Sequence, residues 1–493
     1  MDVKTLLSIE EDPNRKEKAI QLCKEASTEE DPVKRVLLYD QAIELDPDYA
    51  KAYFNRGLLK AVLGSYKDAI KDLDRNISLN PKDGWGYLIR GNVNASFGDE
   101  ENAIKDYEKG LQLMPDCAEG YFNRGNSKAA LGDHSGAISD YNQAIELKPS
   151  LAVAFFNRAI SKTKIGKINE AILDYDRAIE LKPDYVKAFF NRGVSRDKKH
   201  EHKGAIADYS RAIELLPDYL EAYYNRGNSK AFLGDHSSAI MDFDKAIELR
   251  PGYAEAYNNR GISKEKLGDH VGAIEDYDQA IKLNPFFSDA FLNRGTSKAA
   301  LGDHLGAIQD ADKTIELKPD ESDAFFNRAN SKVALGDNTT AIEDYNKAIE
   351  LNPSFLKALF FRGNAKAANG DLKGAIMDFE RCVELDPHQI NSNYNLGIAK
   401  REINDNMGAI TAFDRALEMN PDDSEAYYCR GVSKSAIGDN EAAILDFDKA
   451  IELNPFDASA YFHRGNSKAA LGDIKGAIDD LEKARILDPA RFN

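Results

Sequence analysis

An all-α array of stacked helical hairpins is the fold class this sequence predicts, and three regularities predict it. Fifteen of its sixteen prolines stand at a constant interval of 34 residues, from Pro13, Pro47 and Pro81 through to Pro455 and Pro489. Between these prolines the apolar residues return at helical rather than alternating spacing. Small residues recur at two fixed places in each interval, as at Gly57, Gly91, Gly125 and Ala159, and at Ala69, Ala103, Ala137 and Ala171. A period of this length, kept without insertion or deletion, means copies of one supersecondary unit that bury their apolar faces on each other.

The stretch 118–151, AEGYFNRGNSKAALGDHSGAISDYNQAIELKPSL, serves as the type copy. Helical spacing predicts a first helix from Ala118 to Leu131, Gly132 offers a left-handed cap, and Asp133 is the start signal of a second helix. That helix runs to about Lys148, where Pro149 removes a donor and clashes with the preceding turn. This register gives about fourteen copies. A degenerate one covers 16–49, and regular ones start at 50, 84, 118, 152, 186, 220, 254, 288, 322, 356, 390, 424 and 458. One solenoid over 16–491 follows, with 1–15 as an N-terminal cap segment and 492–493 as a C-terminal tail. Counted from the start of each copy, Gly or Ala at position 8 and Ala at position 20 let the two helices approach. The ring at position 24 (Tyr107, Tyr141, Tyr175, Tyr209, Phe243, Tyr277) fills the space beside them.

A 34-residue period with an aromatic at position 4, Gly at 8, Ala at 20, an aromatic at 24 and Pro at 32 resembles the tetratricopeptide repeat family, over residues 16–491. The resemblance implies a right-handed superhelix whose first helices line a concave groove, usually a platform for partner proteins. It implies no reaction. Two positions depart from the family pattern: position 7 is Arg in twelve copies, and position 11 is Lys or Arg in twelve. An arginine facing the second helix needs a counter-charge. Every copy with Arg at position 7 has Asp at position 23, from Arg56 with Asp72 to Arg464 with Asp480, whereas the two copies without Arg carry Leu22 with Leu38 and Leu396 with Ala412. The phase of these exceptions predicts a bridge within each copy.

Position 6 is the candidate binding row. Asn occurs at Asn55, then unbroken at Asn123, Asn157, Asn191, Asn225, Asn259, Asn293 and Asn327, and again at Asn395. The family geometry implied by the resemblance turns this side of the first helix into the groove, and the row resembles the asparagine row in the repeat region of O-GlcNAc transferases. A carboxamide offers both a donor and an acceptor to a peptide main chain. Beside the row, position 5 carries Phe122, Phe156, Phe190, Tyr224, Leu292 and Phe326 as candidate side-chain pockets. At position 2, Glu221, Glu255, Asp289 and Asp323 favour a partner segment with Lys or Arg, although acid at a helix start also suits the macrodipole. The row is broken at Ile89, Phe361, Cys429 and His463.

A net charge of −18 disfavours nucleic acid and anionic lipid as partners. No apolar run reaches the roughly 18 to 20 residues of a membrane span, and residues 1–13 lack a secretion signal, so a cytoplasmic protein is expected. Cys23, Cys117, Cys382 and Cys429 show no paired spacing. The histidines at position 17 (His134, His202, His236, His270, His304) lie in successive copies, about 8 to 10 Å apart, too far to share one ion. No phosphate loop, zinc-protease helix or nucleophile elbow occurs, and S-x-x-K at Ser161 and Ser263 falls inside ordinary first helices. Neither catalysis, cofactor nor metal is expected. No copy from 50 onward has Lys at position 5 or Arg at position 6, which disfavours clamping of chaperone tails, and an acidic chain with a 34-residue period is unlike the pentatricopeptide RNA readers. The sequence therefore predicts a non-catalytic scaffold for an extended protein segment. Two alternatives stand beside it: an assembly protein joined through its ends or convex face, including self-association through the last helix with Leu481, Ile486 and Leu487, and the substrate-selecting arm of a separately encoded enzyme.

Overall fold

The computed structural model describes residues 14–492, so most of the stretch expected to act as an N-terminal cap, residues 1–13, lies outside the described residues, as does Asn493. Among the described residues all regular structure is helical, from Arg15–Thr28 to the short Pro489–Phe492. They divide into two compact units, Met1–Leu249 and Arg250–Asn493. Within each unit, helix-turn-helix hairpins follow one another, every helix packing on its predecessor and its successor. The type copy forms Ala118–Ala130 and His134–Leu147, within a residue of the predicted ends, and the degenerate copy forms Arg15–Thr28 and Pro32–Leu45.

Local chemistry sets each hairpin. The turn between the helices needs a left-handed residue, and Gly132 supplies it with φ 83°. Two of the regular copies lack glycine there and use His200 at φ 60° and Asn404 at φ 63°. The Asp133 carboxylate then accepts the Gly136 N–H at 2.8 Å and caps the second helix. At position 8, a Cβ on Gly125 would stand 2.8 Å from Cε1 of Tyr141, so glycine lets a fully buried ring lie against the first helix. The core is a succession of such rings and alanines, repeated within each unit.

The twelve arginines at position 7 all make the predicted bridge. Arg226 donates from Nε and Nη2 to the two oxygens of Asp242 at 2.9 and 2.6 Å, and Lys230 Nζ lies 2.7 Å from Asp242 Oδ2. Asn94 stands where other copies have lysine and donates to Asp106 at 2.9 Å. The arginine also does what the intra-copy pattern does not foretell. In most copies its Nη1 reaches position 25 of the preceding copy, as from Arg56 to Asp40 at 2.6 Å and from Arg192 to Asp176 at 2.5 Å. The guanidinium further lies over the position-4 ring, 5.5 Å from the Tyr223 centroid for Arg226. One side chain thus ties three helices together. A buried pair of this kind adds little net stability over an apolar replacement, and removing one partner is costly.

Candidate functional site

Position 6 lies one residue before the arginine on each first helix, and the asparagines from Asn123 to Asn327, with Asn55 and Asn395, are all half-buried. The first unit holds Asn123, Asn157, Asn191 and Asn225, the second Asn259, Asn293 and Asn327. Their amide arms follow the residue at position 9 of the preceding copy. Where that residue is polar, the Nδ2 group donates to it: Asn123 to Asn92 at 2.9 Å, Asn157 to Asn126 at 2.8 Å, Asn327 to Thr296 at 3.1 Å and Asn395 to Asn364 at 2.9 Å. Where it is Ile160, Asn191 turns back to the Lys187 carbonyl of its own helix at 2.8 Å. Asn293, facing Ile262, donates instead to Asn258 at 3.1 Å.

The acceptor at position 9 is itself held. Oδ1 of Asn126 receives both Asn157 Nδ2 and the phenol of Tyr141 at 2.8 Å, and Asn92 receives Asn123 and Tyr107 in the same way. A ring from the core, an amide at position 9 and an amide of the next copy therefore form one chain of hydrogen bonds. This leaves Oδ1 of Asn123, Asn157, Asn293 and Asn327 with no protein donor, and none of these oxygens is buried. Each rung presents an oriented acceptor, next to the Nδ2 of the position-9 asparagine where there is one.

Position 9 was not singled out in the sequence, although Asn92, Asn126, Asn228, Asn330, Asn364 and Asn466 stand in register there. Two acids at position 12 were also missed. Asp197 accepts the Tyr209 phenol at 2.8 Å and the Ser229 hydroxyl of the next copy, and Glu265 accepts Tyr277 at 3.3 Å and Ser297 at 2.8 Å. Burial, then the Asp197 charge, holds the Tyr209 proton on well beyond the usual phenol range. Each acid occurs once in its unit, so no periodicity marks it.

The position-5 rings pack as much as they present. Phe156 is buried, its centroid 4.8 Å from that of Tyr185, and Tyr224 and Phe326 are half-buried, 6.0 Å from Phe243 and 6.1 Å from Tyr345. Of the acids at position 2, Glu221, Glu255, Asp289 and Asp323 are all exposed, and Asp289 pairs with Lys318 of its own copy at 2.5 Å. At the breaks in the row, Phe361 meets Phe326 edge-on at 5.8 Å, Cys429 is buried, and His463 stacks on Phe447 at 6.1 Å. Burial, joined by the Arg491 charge, pushes the His463 pKa down. Among the described residues no three or more His, Cys, Asp or Glu side chains are placed to hold a metal ion, and the four cysteines are free and buried. No helix among them is long and apolar enough to cross a membrane.

Sequence profiles described as Tetratricopeptide repeat match residues 38–71, 86–117, 118–151, 220–253, 254–287, 322–355, 356–389, 412–444 and 430–491, and one described as TPR repeat matches 161–199 and 198–231. No curated protein matches the chain. Among solved structures, the MamA protein is 26% identical, covering 35% of this chain and 94% of its own, with a TM-score of 0.32. YrrB, described as a TPR protein with an unusual peptide-binding site, is 25% identical over 38% of this chain and 95% of its own, with a TM-score of 0.34. A tetratricopeptide repeat protein from Parabacteroides merdae is 20% identical over 48% of this chain and 93% of its own, with a TM-score of 0.40.

Proposed function

The chain belongs to the tetratricopeptide repeat family, whose members act generically as protein–protein interaction scaffolds, and on that premise we propose that it is a non-catalytic scaffold holding an extended protein segment along its first helices. The contact residues are Asn123, Asn157, Asn191 and Asn225 in the first unit and Asn259, Asn293 and Asn327 in the second. One observation carries this reading: at Asn123, Asn157 and Asn327 the donor arm is spent on the neighbouring copy, while the carbonyl oxygen stays unpaired and unburied. An amide immobilised in this way has already given up its rotamer freedom, so accepting a backbone N–H costs little further ordering. Each such bond contributes only about 0.5–1.5 kcal/mol net, and affinity accumulates along the row. The exposed Glu221, Glu255 and Asp323 favour Lys or Arg in the segment.

The test uses peptides selected from a random library on the intact protein. Replacing Asn123 and Asn157 together, and in a separate variant Asn293 and Asn327 together, by Ala, with helicity checked by circular dichroism, is expected to weaken binding of the peptides held by that unit by about tenfold. Undiminished binding would refute the reading. A second reading, self-association through the helix Ile474–Leu487, rests on the exposure of Ile474, Ile478 and Ile486. Sedimentation of a clean monomer at high concentration would exclude it.

A further inference from the structure

In copy 390–423 the arginine of position 7 and the aspartate of position 23 are lost together, replaced by Leu396 and Ala412. A cavity of about 710 Å³ opens there, inside the second unit, walled by the helices Leu372–Leu385, Ile390–Glu402 and Asn406–Met419. Its floor is apolar, with Val383, Leu396 and Ala412 all buried. The volume falls in the range of small-molecule sites, about 300–1,000 Å³.

The preceding copy shows which charges belong around this space. There Asp378 accepts two N–H groups from Arg362, at 2.9 and 2.5 Å, and meets Lys366 Nζ at 2.9 Å. Lys400 stands at the same position as Lys366, but Ala412 gives it no carboxylate, and it reaches across to Glu380 at 2.8 Å instead. Arg415 follows Ala412 by three residues, on the same helix face, and lines the cavity. Among the described residues it has no ion-pair partner, whereas Arg381, in the same position one copy earlier, pairs with Glu384 at 2.9 Å. Of the four charged side chains that line the opening, Glu380 is paired with Lys400 and Glu384 with Arg381, which leaves the Arg415 guanidinium as the one charge without an ion pair among the described residues.

We propose that this cavity is a binding site for a small organic acid, one carboxylate on an apolar body. The carboxylate takes the place vacated by the missing aspartate, between Lys400, whose ammonium has donors left beside its bond to Glu380, and Arg415. The body lies on Val383, Leu396 and Ala412. A cationic ligand would meet carboxylates that are already paired and an uncompensated guanidinium, and is disfavoured.

Phenylacetate is the probe, with phenethylamine as its charge-reversed counterpart, each titrated onto the full chain and followed by saturation-transfer NMR. Phenylacetate is expected to bind saturably and phenethylamine not to bind. Lys400→Gln should weaken phenylacetate about tenfold, the worth of one charge-assisted hydrogen bond. Leu396→Arg with Ala412→Asp rebuilds the pair seen in the other copies, fills the cavity and should abolish binding. Should that double variant fail to fold, Lys400→Gln and Arg415→Gln carry the decision alone. The proposal is overturned if phenylacetate does not bind saturably, if phenethylamine binds as tightly, or if folded variants bind phenylacetate as the unaltered chain does.

Discussion

Copies 356–389 and 390–423 are neighbours in the second unit and hold their helices together by different means. The first uses Arg362, Lys366 and Asp378 in one buried ionic knot. The second has Leu396 and Ala412 in the same places and sends its lysine to the preceding copy. Both keep a glycine against a buried ring, Gly363 on Phe379 and Gly397 on Phe413. The close approach of glycine and ring is therefore common to both copies, while the knot is dispensable as a whole and damaging to lose in part.

Substitutions in the two copies test this contrast. The largest effect should come from Asp378→Ala, which strands Arg362 and Lys366, and about 3 kcal/mol or more of local stability should be lost. Hydrogen exchange across Leu356–Ala368 and Leu372–Leu385 reads this directly. Next come Gly363→Ala and Gly397→Ala, each placing a Cβ 2.6 Å from a ring carbon. Both should cost about 1–3 kcal/mol, and clearly unequal losses would contradict the common role assigned to the glycine. Arg362→Leu with Asp378→Ala transplants the second solution into the first copy and should cost roughly 1 kcal/mol or less in urea melts, far below the single substitution.

The smallest effect is acid sensitivity. In copy 458–491, burial alone would raise the pKa of Asp480, but hydrogen bonds from Arg464 and Lys468 more than reverse this and leave it below its ordinary 3.8. A depressed carboxylate contributes stability that is present above its unfolded value and lost as pH falls through the folded one. Exchange rates, corrected for intrinsic pH dependence, should therefore rise in Ala458–Leu487 as pH drops below about 4. The helices Ile390–Glu402 and Asn406–Met419, with Ala412 in place of that aspartate, should respond less.

What repeats was legible in the sequence. The 34-residue interval marks the hairpins and their ends, and the joint loss of Arg and Asp in two copies marks the bridge. What depends on the next copy was harder to see. The third bond that most of the arginines make and the direction of the amide arms depend on residues of the preceding hairpin, and Ile160 rather than Asn126 is enough to turn an arm back on its own helix. Asp197 and Glu265 carry no periodic signal, and the cavity beside Leu396 is a matter of volume, which spacing does not encode.

The most direct test of the peptide-binding row is an amide-to-ester scan of a library-selected peptide, each ester removing one backbone N–H while keeping every side chain. First helices about 8–10 Å apart and an extended chain rising about 3.3–3.6 Å per residue place a rung at about every third residue. The affinity loss is expected to recur with that period and to vanish when the facing asparagine is Ala. A flat ester scan, with binding that follows the peptide side chains alone, would contradict the account.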